Sequence, residues 1–338
     1  MRLGDISVSY VELMVKAALK EGHNPETILA QYGLDSVRLS SPMARISIPR
    51  FMHLGHALIE AYDIPCLGLL MGKLSGAPSM GLAGLLAQSA ADIRQACIAI
   101  TTYELLNSFN ARGSSSFYLE NKHGVMQFYS ISPYNNYNFF VVDSVLSSWR
   151  FFLEQIASKK SLIQRVEIEF EAPAYKDQYA KYFDCDVHFN CERNAIILKP
   201  DSLNCSVEVG SASTFAALEI CAQRELEKVR LGLTFQEQVA RAIGPLLSGQ
   251  TPTLEQVAQR LNSTPWIVRR KLQAESVSFQ QVLNDTRKGL AISYVCDTTL
   301  SLGEIAYVLG FGSSVAFQRA FKRWTGEAPG QFRESNKK

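Results

Sequence analysis

SLGEIAYVLGFGSSVAFQRAFKRWTGEAPGQFR, residues 301–333, is the stretch on which the reading of this chain turns. Its first part reads as a short helix with Ile305, Ala306 and Leu309 on one face, and Gly310-Phe311-Gly312 as a tight turn. A second helix follows, with Phe317 and Phe321 facing inward. The same arrangement occurs earlier. TLEQVAQRL (253–261) reads as a short helix with Val257, Ala258 and Leu261 inward, and Asn262-Ser263 as its turn. Thr264-Pro265 supplies the N-cap and first position of a second helix that buries Val268 and Leu272. Two short helices joined by a tight turn, the later one basic on its outer face, form the helix-turn-helix pattern, and here it is duplicated.

Each second helix presents groups suited to nucleic acid. In the first unit they are Trp266, Arg269 and Arg270; in the second, Ser314, Val315, Gln318, Arg319 and Lys322. Arginine forks onto guanine O6 and N7 and glutamine onto adenine, whereas lysine near a helix end suits phosphate. Between the units, Phe279, Val282, Leu283, Thr286, Leu290 and Tyr294 follow one face of a helix ending near Cys296. About 18 residues at ~1.5 Å each span about 27 Å. That length suits recognition helices placed in neighbouring major-groove segments, ~34 Å apart along one turn of DNA.

Charge supports the division. Residues 234–338 carry 13 Lys and Arg against 8 Asp and Glu, whereas the preceding residues carry 21 against 24. A basic module behind a mildly acidic one points to a polyanionic partner for the C-terminal part. With 338 residues, 47% of them hydrophobic, the chain is long enough for two cores. The seven cysteines lack a CxxC pair and are odd in number, which favours reduced thiols and a cytoplasmic location. Asp5, Glu12 and Lys16 interrupt the apolar run a signal peptide needs, and no stretch approaches the ~20 apolar residues of a membrane span. His53 and His56 have no accompanying ligand pattern, so neither metal nor cofactor is expected.

The first 210 residues read as α+β. Helical periodicity runs through Val11, Met14, Val15, Ala18 and Leu19, then Ile28 and Leu29, then Phe51, Leu54 and Leu58. Ser89 and Asp92 have the spacing of a capping box ahead of Ile93 and Cys97. From Gly113 a β-rich hairpin with a turn at Gly124 is expected, then a helix bearing Val142, Trp149 and Phe152. Strands are expected at 165–170, 186–190 and 194–200, giving helices packed on a mainly antiparallel sheet. Phe215, Leu218, Ala222 and Leu226 mark a helix over 211–230 with near-heptad spacing, which reads either as a core helix or as a linker or dimerisation helix between the domains. The expected domains are 1–210, a linker 211–233, and an all-α module 234–338 with two helix-turn-helix units joined by a long helix. Tyr129, Tyr134, Tyr137, Trp149 and Phe152 belong to an aromatic-rich region suited either to a core or to an apolar effector pocket.

Residues 235–335 closely resemble the signature of the AraC/XylS family of bacterial transcription regulators. The matching positions are Ile305-Ala306, Gly310-Phe311, Phe317, Arg319 to Lys322, Gly326, Pro329 and Phe332-Arg333. The resemblance implies that Trp266, Arg269 and Arg270, with Ser314, Val315, Gln318 and Arg319, lie on recognition-helix faces. Val315 departs from the polar residue of some members, leaving a methyl contact with thymine but no hydrogen bond. Residues 1–210 do not resemble the sugar-binding cupin barrel of many members; through GLAGLLAQSAADIRQACIAITTYELL (81–106) and YFDCDVHFNCERNAIILKPDSLN (182–204) they are similar to a helix-first sensor half in another branch. The implied partners are double-stranded DNA, a small-molecule effector of hydrophobic or amphipathic character, RNA polymerase if the protein activates, and a second copy of the chain. Two further readings stay open for the N-terminal half. It is a protein-interaction module, or an enzyme domain, although no nucleophile–base constellation, phosphate loop or metal motif supports catalysis.

Overall fold

A computed structural model describes residues 4–35, 39, 44–110, 114–129, 134, 138–231, 234–247, 249–298 and 300–335. The N-terminal half begins with β1 (Gly4–Ser7), α1 (Ser9–Lys20), α2 (Glu26–Gln31), β2 (Arg45–Ser47) and α3 (Ile48–Tyr62). It continues through α4 (Leu67–Lys73), α5 (Gly81–Ser89), α6 (Ile93–Tyr103), β3 (Ser108–Asn110) and the hairpin β4 (Ser114–Glu120) and β5 (His123–Tyr129). Next come α7 (Phe139–Ile156), β6 (Ile163–Glu167), α8 (Tyr179–Phe183), β7 (Asp186–His188) and β8 (Asn194–Leu198). The rest is helical: α9 (Ala212–Leu231), α10 (Phe235–Ile243), α11 (Leu254–Arg260), α12 (Pro265–Ala274), α13 (Phe279–Asp297), α14 (Leu302–Val308), α15 (Ser314–Thr325) and α16 (Pro329–Ser335).

The main sheet has the order β4-β5-β8-β6-β7, antiparallel at every junction except β6 with β7. Alternation decides its faces. Met126 and Phe128 join the core beneath α7 with Trp149, Phe152 and Ile156, while Val125, Ala195 and Ile197 form a small cluster on the opposite face. The fold class is therefore as the sequence implies, helices on a mainly antiparallel sheet followed by an all-helical half. A second sheet, β2-β1-β3, joins segments about a hundred residues apart and had no counterpart in the sequence reading.

Local details differ from expectation for identifiable reasons. The hairpin turns at Asn121-Lys122, both left-handed (φ 50° and 71°), and Gly124 lies within β5. A Cβ at Gly124 would sit 2.6 Å from Leu203 Cδ2, so packing against Leu203 explains this glycine. Asp92, not Ser89, caps α6: its carboxylate accepts from Gln95 N at 2.8 Å, and Gln95 Oε1 accepts from Ala91 N. Leu19 is exposed on α1, whose buried face is Val11, Leu13, Met14, Ala17 and Ala18.

Helices α4 and α7 pack unusually close. Gly68 and Gly72, one turn apart, face Phe140 and Ser147, and Ser147 Oγ donates to Leu69 O at 2.8 Å. Beside this contact Asp143, buried on α7, accepts from Tyr179 Oη at 2.6 Å and Tyr175 Oη at 2.8 Å. Burial outweighs those two hydrogen bonds and pushes its carboxyl up to about 7. The apolar core of the C-terminal half runs on into residues of α1, α3 and α4, with α13 against α3. Among the described residues no single helix is long and apolar enough to cross a membrane.

Candidate nucleic-acid interface

The two helix-turn-helix units are built by the same local rules. Thr253 with Gln256, and Ser301 with Glu304, form capping boxes that start α11 and α14. At the turns, Asn262 (φ 47°) and Gly310 (φ 69°) adopt the left-handed conformation that ends each helix. The next amide then reaches back five residues: Ser263 N donates to Ala258 O, and Phe311 N to Ala306 O, both at 2.9 Å. Thr264 and Ser313 cap the second helices, accepting from Ile267 N at 3.4 Å and Ala316 N at 3.2 Å. The second turn is one residue longer, running through Gly312.

Inward positions match the expected set. Val257, Ala258, Val268 and Leu272 are buried in the first unit, and Ile305, Ala306, Leu309, Phe317 and Phe321 in the second. Gly310 is required twice over, by its positive φ and by space, because a Cβ there would lie 2.2 Å from Gln250 O. Arg287 on α13 braces the same turn. Its Nε donates to Leu309 O at 2.8 Å, and its Nη2 to Gly310 O at 2.7 Å and Thr251 Oγ1 at 2.9 Å. Arg333 similarly ties α16 to the end of α13 through Val295 O (2.9 Å) and Leu300 O (2.6 Å).

The outward faces carry the chemistry. Trp266 is 65% exposed, an unusual position for a tryptophan, and the Arg270 guanidinium lies 4.8 Å from its ring centroid. Arg269 is exposed beside them, and Gln273, one turn further on, extends the stripe. On α15, Val315 is 58% exposed, Gln318, Arg319 and Lys322 are exposed and Ser314 is half-buried; Gln318 Nε2 donates to Ser314 Oγ at 3.2 Å. Arg323, exposed four residues after Arg319, belongs to the same surface and was not singled out in the sequence. Among the described residues none of these arginines or lysines is held in an ion pair. Lys271, by contrast, turns back over the Phe235 ring at 5.0 Å.

Of the five aromatic residues suggested for an effector pocket, the four that are described lie in different surroundings. Phe152 is buried within the core under α7. Tyr134 packs against Phe170 at 5.7 Å and accepts from Asn194 Nδ2 at 2.9 Å. Tyr129, at the end of β5, lies within electrostatic reach of Arg260 on α11. Tyr137 lies outside the described residues. Trp149 borders a cleft formed with residues from α1, α4, α5, α6 and β4 that sequence spacing gave no means of grouping.

Comparison with known proteins matches both halves. Residues 22–207 match the family model described as the arabinose-binding domain of AraC transcription regulator, N-terminal, and residues 257–335 match a helix-turn-helix domain. The chain is 25% identical over 334 residues to the ornithine utilization regulator of Pseudomonas aeruginosa, covering 98% of this chain and 96% of that one. A shorter match, 42% identical over 80 residues, is to the urease operon transcriptional activator of Escherichia coli, covering 24% of this chain and 27% of that one. Among solved structures, the transcriptional regulator CdpR from Pseudomonas aeruginosa aligns over 91% of this chain and 96% of its own, at 20% identity and a TM-score of 0.44.

Proposed function

Since the chain belongs to the AraC-type family of transcription regulators, we propose that it reads DNA with α12 and α15 together, under control of a small-molecule effector held in its N-terminal half. The observation carrying this reading is the pair of independently capped recognition helices with unpaired basic faces, joined by a connector of 19 residues. At ~1.5 Å per residue that connector is about 28 Å long, near the ~34 Å between successive major-groove segments. Arg269, Arg270, Gln318 and Arg319 are base-reading candidates, Val315 suits a thymine methyl, and Lys322 and Arg323 suit phosphate.

The near full-length likeness to a regulator named for ornithine utilization supports a metabolite, rather than a protein partner, as the signal. We assign the chain no catalytic role, expect action as a cytoplasmic dimer, and expect RNA polymerase to be contacted if the protein activates. The test uses fluorescence anisotropy with DNA from upstream of its own coding sequence. Arg319→Ala should weaken the specific complex by about 1–3 kcal/mol and relax preference at one base position. Equal loss on all sequences would recast Arg319 as a phosphate contact.

A further inference from the structure

The cleft bordered by Trp149 encloses about 600 Å³ of empty space, part of it open to solvent. Leu13, Met71, Met80, Ile100 and Val145 supply apolar wall, and its polar groups are Tyr10, Glu104, Asn107 and the hydroxyls of Ser75, Ser79, Ser115, Ser144 and Ser148. Three of those hydroxyls have spent their hydrogens: Ser75 Oγ donates to Gly72 O at 2.7 Å, Ser79 Oγ to Gly76 O at 2.7 Å, and Ser144 Oγ to Val141 O at 2.9 Å. What they offer the cleft is lone pairs. Glu104 Oε2 accepts from Ser115 N at 3.0 Å, and among the described residues no lysine or arginine pairs with it. Ser115 Oγ is buried beside it with no partner. A carboxylate withdrawn from water without a counter-cation is costly, and the hydroxyl lone pairs gathered around it are complementary to a donor-bearing cation.

Building on the effector-controlled reading above, we infer that this cleft binds a small organic ammonium ion, its nitrogen on Glu104 and the serine oxygens and its carbon stem along Met71, Met80, Ile100 and Trp149. Burial pushes the Glu104 carboxyl up in the empty cleft, and an arriving cation reverses that shift. The ligand is thereby selected by charge as well as by shape.

The experiment titrates the full chain calorimetrically with butylammonium chloride, with 1-butanol and butyrate as isosteric controls. Saturable 1:1 binding of butylammonium is expected, at least tenfold tighter than either control. Glu104→Gln should weaken it at least tenfold, with its melting temperature showing that it is folded. Ser115→Ala, which deletes only an unpartnered hydroxyl, should weaken it severalfold and serves if the glutamine variant does not fold. Butylammonium binding no tighter than butanol, or unaffected by either substitution, overturns the assignment. Anisotropy on promoter DNA with the same wild-type sample separates the failures. DNA binding without amine binding rejects the cleft's ligand, whereas loss of sequence-selective DNA binding rejects the regulator reading itself.

Discussion

Arg287→Met is expected to destabilise the second helix-turn-helix unit by about 4 kcal/mol and to abolish specific DNA binding. Arg287 is only 7% exposed and spends its guanidinium on the carbonyls of Leu309 and Gly310 and on the Thr251 hydroxyl, with its Cζ 4.8 Å from the Phe311 ring centroid. Methionine fills much of the same space but donates nothing. Leu309 O then loses its side-chain donor inside the protein, Gly310 O keeps only the longer bond from Thr251 Oγ1 (3.3 Å), and Thr251 Oγ1 loses the guanidinium, at about 1–3 kcal/mol for each buried group left under-bonded. The turn that Leu309 and Gly310 belong to sets the angle between α14 and α15, so the damage falls on recognition as well as on stability. Hydrogen exchange on the full chain would localise it. At about 1.4 kcal/mol per tenfold, amides of α14 and α15 should exchange on the order of a thousandfold faster while those of β5 and β8 do not change. Unchanged protection at α14 and α15 would show that the guanidinium bonds contribute little.

Gly68→Ala should cost the N-terminal half about 3 kcal/mol. The new methyl group would lie 2.2 Å from Phe140 O, a backbone atom of α7, and 2.8 Å from Asp143 Cβ, so α4 has to move away from α7. Overpacking of this kind costs about 1–3 kcal/mol or more, and separation also loosens the Ser147 Oγ to Leu69 O bond one turn along. Gly303→Ala is the matched contrast. Its Cβ would meet nothing nearer than Ser301 Oγ at 3.8 Å, and alanine is the better helix former, so that variant should be neutral or slightly stabilised. Thermal unfolding of the pair would show it: a drop for Gly68→Ala alone supports the close helix contact, and equal melting temperatures would mean that α4 is not packed this tightly.

The recognition units were legible in the sequence because their caps, turns and apolar faces are local, although the Arg287 brace on the second turn is not. Caps lie within three residues of their targets, the turns need Asn262 or Gly310, and the apolar faces repeat at helical spacing within a dozen residues. The main sheet was legible through the alternation of its strands and the helix between them. What escaped is long-range. Strands β1, β2 and β3 are three or four residues each, too short for alternation to register, and exist only because they pair with one another across the chain. Gly68 and Gly72 look like ordinary small residues until α7 is laid against them. The cleft at Glu104 draws its walls from residues between Tyr10 and Trp149, while the aromatic run that drew attention in the sequence is divided between core, sheet end and cleft. Local density of aromatic residues reports hydrophobicity, and only the fold sorts it into packing and lining.

The most direct test of two-headed DNA recognition is hydroxyl-radical and methylation footprinting of the full chain on DNA from upstream of its own coding sequence. Two protected major-groove segments about one helical turn apart are predicted. Substitution of Arg269 and Arg270 should clear one segment, and substitution of Gln318 and Arg319 the other. A single protected segment that is lost with either pair, or protection spread evenly along the duplex, would contradict simultaneous reading by α12 and α15.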